Sequence, residues 1–381
     1  MMSCGPPAGD ADSSLREFVP DCATSLEMKA SWSAAPAVHN AQGAPAATEM
    51  PSPTAYDSKS SVNNWPCATP ADTISAERRM CFMNPGFCVL VFHAKIGGTA
   101  MNPEHCTMKW VGNVRKMSSV VDAEGRVNYQ WRGKDVLEDM PMCPVNEWIG
   151  QEVRVSFSGV IHCVETGKVI KKTYGEGLSY DAFLKSPLAC PSIIRPELSR
   201  IHEGISLRDE AWERAHHLTP HVVYLSQTSH VKVGVTRKAN VPSRWVDQGA
   251  VAAVVVAEAP YRQLAGEMEV ALKGVFSDRT HWRHMLKSAT PDSEALLDAK
   301  DDALEALGMV YEPFFEEDDE VHTLHFPVHH HPDKVTSTKL EKVPVISGKL
   351  VGVKGQYWMW EDGRVWNVRA HAGSRVEIVV S

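Results

Sequence analysis

The stretches VVYL at residues 222–225 and KVGVT at residues 232–236 decide how the middle of this chain folds. Both are rich in β-branched residues, and alternate side chains of a strand point to opposite faces. A tight hairpin between the stretches brings Tyr224, Lys232 and Gly234 together on one face. Apart from Val222, the valine and leucine residues of the two stretches lie on the opposite, apolar face, which we expect to pack against the rest of the unit.

The sequence after this hairpin predicts a compact ββαβα unit. A short helix begins near residue 241, a strand follows at 251–258, and a second helix spans 261–275. The apolar residues of that second helix recur at helical spacing and form one buried stripe. Glu269 falls at the margin of the stripe and Glu267 on the wetter side, so Glu269 is the acid that we expect to be partly desolvated.

Three neighbouring elements of this unit carry a phenol, a fixed cation and a carboxylate, which are Tyr224, Arg244 and Glu269. These groups suit metal-assisted phosphodiester hydrolysis, in which a carboxylate holds a divalent ion, a phenol handles a water proton and a guanidinium meets phosphate charge. Residues 219–288 contain nine Lys and Arg against five acids, although the whole chain has a net charge of −8. The resulting basic face fits phosphate contact.

The same residues resemble the GIY-YIG nuclease domain. The first tyrosine of that motif matches Tyr224, the glycine of its second half matches Gly234, and its arginine and helical glutamate match Arg244 and Glu269. The resemblance implies a nuclease that acts on DNA or RNA with Mg²⁺ or Mn²⁺. In it, Tyr224 would be the general base, Arg244 would stabilise the phosphorane, and Glu269 would hold the metal.

One position departs from the motif, because Lys232 stands where the second tyrosine is expected. Lysine cannot reproduce a phenol, but it can contact a phosphate or lower the pKa of Tyr224. We therefore expect Lys232, Gly234 and Arg237 to form the phosphate-binding part of the site.

Longer segments resemble a bacterial family of unknown function, number 2797, which is assigned to the GIY-YIG superfamily. The segments that carry this likeness are KVGVTRKANVPSRWVDQGA (232–250), APYRQLAGEMEVALK (259–273), SDRTHWRHMLK (277–287), IIRPELSRIH (193–202) and GVKGQYWMWEDGRVWNVR (352–369). The resemblance runs from about Met108 to the end of the chain.

The family also resembles a zinc-bearing protein with paired Cys-x2-Cys motifs. In the first group only Cys163 remains, and the matching positions hold Thr166, Ser179 and Ala182. In the second group, cysteines are replaced by Ser192 and Ser199, leaving Cys190 and His202 nearby. Tetrahedral zinc needs four ligands. We therefore expect no structural zinc.

The predicted fold class is α+β, with the ββαβα unit flanked by β-rich segments that pack together as a barrel-like domain. The predicted domains are a disordered arm (1–106), a β-rich domain with a degenerate zinc-binding region (107–218), the GIY-YIG-like domain (219–310) and a C-terminal β-rich segment that packs with 107–175 (311–381). The arm is rich in Ala, Ser, Pro and Thr, without helical or strand periodicity. It could equally be upstream sequence before a true start at Met108.

Composition excludes several classes of protein. The longest apolar run, FCVLVFHA at 87–94, is too short to cross a bilayer. Nine cysteines spread over 381 residues do not indicate a secreted disulfide framework. The acidic N-terminus matches neither a transit peptide nor a secretory signal. We therefore expect a cytoplasmic protein by default and no membrane partner.

Two other classes of function stay open. The first is a nucleic-acid or ribonucleoprotein binding module that keeps the basic cleft without turnover. The second is a scaffold whose N-terminal arm and acidic block (316–320) recruit partners.

Three further features of the sequence each have a structural and a functional interpretation. For the three consecutive histidines at 329–331, a position on the surface is favoured over metal binding. For Trp358 and Trp360, burial in the core is favoured over stacking on bases. Thr280 and Trp282 either cap and pack a helix or line the cleft.

Overall fold

The structure is a computed structural model that describes residues 107–381 and the backbone of Val89–Val91. The predicted disordered arm, residues 1–106, lies outside the described residues apart from that short backbone segment. The described part combines helices with a larger share of strands, so the α+β class is confirmed. No helix of the described residues is long and apolar enough to cross a membrane.

The strands of the described residues fall in three parts of the chain, which are residues 89–170, 221–259 and 322–380. In order they are β1 (Val89–Val91), β2 (Thr107–Val114), β3 (Ser118–Val121), β4 (Val127–Trp131), β5 (Gly133–Asp135), β6 (Glu138–Asp139), β7 (Cys143–Pro144), β8 (Glu152–His162), β9 (Val169–Ile170), β10 (His221–Gln227), β11 (Val231–Arg237), β12 (Ala252–Ala259), β13 (His322–Thr323), β14 (Thr336–Thr338), β15 (Val345–Lys354), β16 (Tyr357–Trp360), β17 (Arg364–Asn367) and β18 (Ser374–Val380).

The helices lie mostly in the middle of the chain. They are α1 (Tyr180–Lys185), α2 (Pro191–Ile194), α3 (Glu210–His217), α4 (Ser243–Gln248), α5 (Arg262–Leu272), α6 (Trp282–Met285) and α7 (Ser293–Leu307). The predicted order of two strands, helix, strand and helix is present as β10, β11, α4, β12 and α5. The domain boundaries stay predictions.

The largest sheet joins both ends of the described chain. Its strand order is β14-β17-β16-β15-β8-β18-β2-β5-β6, with β1 added beside β2 and β9 beside β8. The C-terminal strands β15 and β18 pair with β8, and β18 also pairs with β2. These long-range pairings bring residues 345–380 against residues 107–162.

The expectation of a barrel is wrong, because this sheet stays open. Its outer strands β14 and β6 do not pair with each other. The inner face is instead covered by a separate three-stranded sheet, β3-β4-β7, and by residues of the ββαβα unit. Trp131 from β4 packs against Trp358 from β16, with ring centroids 5.2 Å apart. Because other elements bury the apolar face, closure of the sheet is not needed.

The second main sheet is formed by the three strands of the ββαβα unit and by β13. Its four strands are antiparallel, in the order β11-β10-β12-β13. One face packs on α5 and α7 through Val223, Leu225, Met268 and Leu296. The other face contributes Val222 and Tyr224 to the tryptophan-rich core of the large sheet. Strand β10 is therefore buried on both faces, and Tyr224 lies where the two cores meet.

Candidate active site

Gly234 makes room for the ring of Tyr224. The two residues face each other in the β10–β11 pair, and a Cβ at Gly234 would lie 2.7 Å from the phenol oxygen. Any larger residue would push the ring away. The ring also makes an edge contact with Trp245, with centroids 6.0 Å apart. Tyr224 is 0% exposed.

Helix α4 supplies the groups that act on the phenol. The Tyr224 hydroxyl donates a hydrogen bond to Oε1 of Gln248, 3.0 Å away. Arg244 lies one turn earlier on the same face of α4, and its positive charge lowers the pKa of the phenol. Gly249, in the left-handed conformation at φ 70°, ends the helix.

The large sheet holds α4 in place. The side-chain amide of Gln356 donates to Oδ1 of Asp247 at 3.0 Å and to the Met117 carbonyl at 3.2 Å. Asp247 also forms an ion pair with Lys116. These contacts fix the helix that carries Arg244.

Helix α5 buries one carboxylate and leaves another in solvent. Glu269 is 9% exposed, whereas Glu267 is exposed and accepts a hydrogen bond from Gln263. Burial raises the pKa of Glu269, and the ammonium of Lys273, 3.6 Å from Oε2, opposes the rise. The helical spacing predicted this difference in exposure between the two acids.

Lys232 is buried, at 5% exposed, and points toward the loop after α5. Its Nζ donates to the Asp278 carbonyl at 3.1 Å and lies 3.4 Å from Oγ1 of Thr280. Burial, together with the charge of Arg244, lowers the pKa of Lys232 to about 8 against the opposing effect of Asp278 and Glu269. The ammonium therefore loses its proton at a lower pH than an exposed lysine does.

Tyr224 lies within electrostatic range of the other two predicted catalytic side chains. Burial raises the pKa of Tyr224, the charge of Arg244 lowers it, and the charge of Glu269 adds to the rise. The structure thus brings Tyr224, Arg244 and Glu269 together, with Lys232 beside them. The phenol keeps its proton unless a nearby positive charge favours the phenolate.

A second carboxylate lies near Glu269. The Lys273 ammonium is 3.6 Å from Glu269 and 3.5 Å from Oδ2 of Asp278, so it bridges the two acids. Within residues 107–381, no group of three or more His, Cys, Asp or Glu residues is arranged to hold a metal ion. Magnesium is often held by one or two carboxylates together with substrate phosphate oxygens and water. Glu269, with Asp278 nearby, fits that donor set.

Arg237 lies at the far end of β11 from Lys232. Its charge acts on Arg262 and on two buried histidines, His217 and His221. Burial is the main cause that lowers the pKa of His217 to about 3 and of His221 to about 4. The predicted role of Arg237 in phosphate binding stays a prediction.

The positions of the degenerate zinc groups do come together in space. Cys163 accepts a hydrogen bond from the Ser179 amide at 3.2 Å and packs beside Ala182. Cys190 is hydrogen-bonded to Ser192 at 3.1 Å. Hydrogen bonds and apolar packing therefore occupy positions that thiolate ligands would take in a zinc site. A similar bond of 3.1 Å links Ser199 to Nδ1 of His217.

The remaining sequence features have mixed outcomes. His329 and His330 are exposed, and Nδ1 of His331 is hydrogen-bonded to the Leu286 carbonyl. Trp358 and Trp360 are buried in the core of the large sheet, as predicted.

Three residues that the sequence interpretation missed contribute to the site. Gln248 is one turn from Arg244, Lys273 is one turn from Glu269, and Arg262 is two turns before Glu269. Helical spacing could have placed each of them on the same face as a predicted site residue. Arg262 donates from Nε to the Ser192 carbonyl at 2.8 Å and thereby fixes the start of α5.

Fold and site together define an α+β protein in which a four-stranded sheet carries a buried tyrosine and a buried glutamate, with a partly buried arginine nearby. Residues 150–376, more than half of the chain, match the family described as protein of unknown function (DUF2797), and the chain belongs to that family. No curated protein and no solved structure matches it.

Proposed function

We propose that this protein is a GIY-YIG-type phosphodiesterase that cleaves nucleic acid with a divalent metal ion. The observation that carries the proposal is the position of Tyr224 at the meeting point of two cores, within electrostatic range of both Arg244 and Glu269. Gly234 supports it, because the glycine of the motif is the residue that admits the tyrosine ring. The basic excess of residues 219–288 is consistent with a polyanionic substrate.

Glu269 would hold the metal ion, with the Asp278 carboxylate close enough to assist. A bound Mg²⁺ or Mn²⁺ would polarise the phosphate and activate water. Arg244 would donate to the phosphate oxygens, where its planar guanidinium matches the developing charge. Lys232 would keep the 278–280 loop in place through its hydrogen bonds and add positive charge to the site.

Tyr224 would accept the proton of the attacking water, as the resemblance implies. That role requires the phenolate, which burial disfavours and Arg244 favours. The hydrogen bond to Gln248 fixes the orientation of the phenol oxygen. As the water oxygen forms its bond to phosphorus, the bond from phosphorus to the leaving oxygen breaks.

The test compares Glu269→Gln with Glu267→Gln in the full chain. Both substitutions remove one carboxylate from α5, but only Glu269 is buried at the site. Labelled single- and double-stranded DNA and RNA are incubated with Mg²⁺, with Mn²⁺ and with a chelator. We expect metal-dependent cleavage that falls about 100-fold or more in Glu269→Gln and is retained in Glu267→Gln. Equal cleavage by both variants, or none by the unaltered chain on any substrate, contradicts the proposal.

A second candidate function is a nucleic-acid binding module without turnover. The observation that favours it concerns Lys232. This residue replaces the second tyrosine of the motif, and its ammonium group is hydrogen-bonded within the protein. This alternative predicts salt-dependent binding by the unaltered chain, with no cleavage in either metal. Binding that is independent of salt would contradict it.

A further inference from the structure

The loop that follows α5 connects the candidate site to a second surface. The Val233 amide donates to the Ser277 carbonyl at 3.0 Å, and Lys232 then holds the next residues through Asp278 and Thr280. Helix α6 begins at Trp282, two residues after Thr280. Since two residues span at most about 7 Å, Trp282 is close to the site along the chain.

Three planar side chains contact one another in series at this surface. The rings of Trp282 and Tyr357 are parallel within 4°, with centroids 5.7 Å apart. The guanidinium of Arg283 lies over the Trp282 ring, 4.5 Å from its centroid. We call Tyr357, Trp282 and Arg283 the planar stack. The two rings are partly buried, whereas Arg283 is exposed.

The residues around the planar stack are basic. Residues 279–287 contain three Lys and Arg residues, two histidines and no acid. The side chain of Arg279 is 94% exposed and has only a 4.0 Å contact with Asp278. Lys287 is also exposed. The surface therefore combines exposed positive charge with an exposed planar cation on an aromatic support.

Such a surface fits one class of partner. Unpaired bases stack on aromatic rings and on guanidinium planes, and phosphates bind the surrounding cations. A base within a duplex is covered on both faces by its neighbours, so it cannot stack on Arg283 without leaving the helix.

We propose that the planar stack binds an unpaired base of a single-stranded nucleic acid, next to the phosphodiester that enters the site. The proposal rests on the proposed function and narrows its substrate class from nucleic acid in general to strands with unpaired bases. Arg279 and Lys287 would contact the phosphates on either side of the stacked base. The exposed plane of Arg283 would carry the base, with Trp282 and Tyr357 holding that plane in place.

The test measures binding in the full chain that carries Glu269→Gln, so that cleavage does not interfere. Arg283→Ala and Arg283→Lys are added separately, and affinity for a labelled single strand, as DNA and as RNA, is compared with affinity for its duplex. Arg154→Lys is the matched control. Arg154 is exposed and pairs with Ser347 in β15, seven residues before the Lys354–Tyr357 turn, which is roughly 23 Å along the strand.

We expect the parent to favour single strands and both Arg283 variants to bind them about fivefold to a hundredfold more weakly, because lysine keeps the charge but not the plane. Arg154→Lys should bind as the parent does. Normal binding by Arg283→Lys, or equal affinity for strand and duplex, overturns the planar stack as a base-binding surface. A parent that binds no nucleic acid overturns the proposed function as well, which separates the two failures.

Discussion

Two regions of this molecule bury large side chains, with opposite consequences. In the core beneath the large sheet, Trp131 of β4 packs with Trp358 and Trp366, and the ring centroids are 5.2–6.1 Å apart. In the ββαβα unit, the buried groups near the site include Lys232 and Glu269. Burial of indole rings removes apolar surface from water and stabilises the fold. Burial of an amine and a carboxyl disfavours their charged forms and shifts their pKa values. The first region therefore stabilises the fold, whereas in the second the burial of ionisable groups costs part of that stability.

The largest effect is expected in the tryptophan core. Trp358→Ala removes a ring that contacts Trp131, Trp148 and Trp366, and leaves a cavity among them. The free energy of unfolding should fall by about 3–5 kcal/mol, as measured by urea denaturation. Val120→Ala is the control, because Val120 is 64% exposed and its loss should change stability by less than about 0.5 kcal/mol. Similar losses in the two variants would contradict the assignment of the core.

A smaller effect is expected where the two regions meet. Gly234→Ala places a Cβ 2.7 Å from the Tyr224 hydroxyl oxygen, which is too close, so the ring must shift and lose its hydrogen bond to Gln248. We expect a loss of about 1–3 kcal/mol in the free energy of unfolding and a loss of cleavage.

Gly274→Ala is the matched control for that change. Its nearest neighbour would be 3.6 Å from the new Cβ, which is ordinary contact, and its backbone has a negative φ. Its stability and cleavage should stay near those of the unaltered chain. If Gly234→Ala behaved in the same way, the close approach of Gly234 and Tyr224 would not matter.

Much of the second region could be predicted from sequence because its signals are local. Alternation in β10 and β11 placed Tyr224, Lys232 and Gly234 on one face, and helical spacing distinguished Glu269 from Glu267. The hydrogen bonds from Lys232 to the 278–280 loop could not be predicted in this way, because each joins two residues that are distant in the sequence, with separations of 46 and 48 positions.

The large sheet shows the same limit more strongly. The Asp-Gly pair at 362–363 favours a hairpin turn between β16 and β17, and alternating residues favour a strand at β8. The open form of the sheet did not follow, because it depends on which elements cover its inner face. Tyr224 and Trp245 of the ββαβα unit are part of that cover. No local periodicity records such packing.

A third prediction uses one buried lysine from each region. Burial lowers the pKa of both Lys232 and Lys354 to about 8, from 10.5. Between these two values the unfolded chain binds more protons than the folded one, so the free energy of unfolding rises with pH. Each lysine should contribute a rise of about 2–3 kcal/mol between pH 8 and 10.5.

Lys232→Met and Lys354→Met separate the two regions. Each should flatten the pH dependence of unfolding, followed by urea denaturation at several pH values. Only Lys232→Met should also reduce cleavage, since Lys354 contacts Phe326 and the Lys287 carbonyl rather than the site loop. Equal cleavage by the two variants would mean that Lys232 has no more part in the site than a buried lysine of the large sheet.

The smallest effect concerns how far the site extends along β11. Arg237 is three residues beyond Gly234, roughly 10 Å along the strand, and its charge acts on His217 and His221. If it contacts a phosphate at that distance, Arg237→Gln should lower the salt dependence of single-strand binding by about 0.7 in the log–log slope, the value for one lost contact. Arg244→Gln should lower the slope equally and also slow cleavage at saturating substrate, because Arg244 acts on the Tyr224 phenol. If the salt dependence of binding were unchanged in Arg237→Gln, the phosphate contacts would be confined to the Lys232 end of the strand. The charge of Arg237 would then act only on the neighbouring buried histidines.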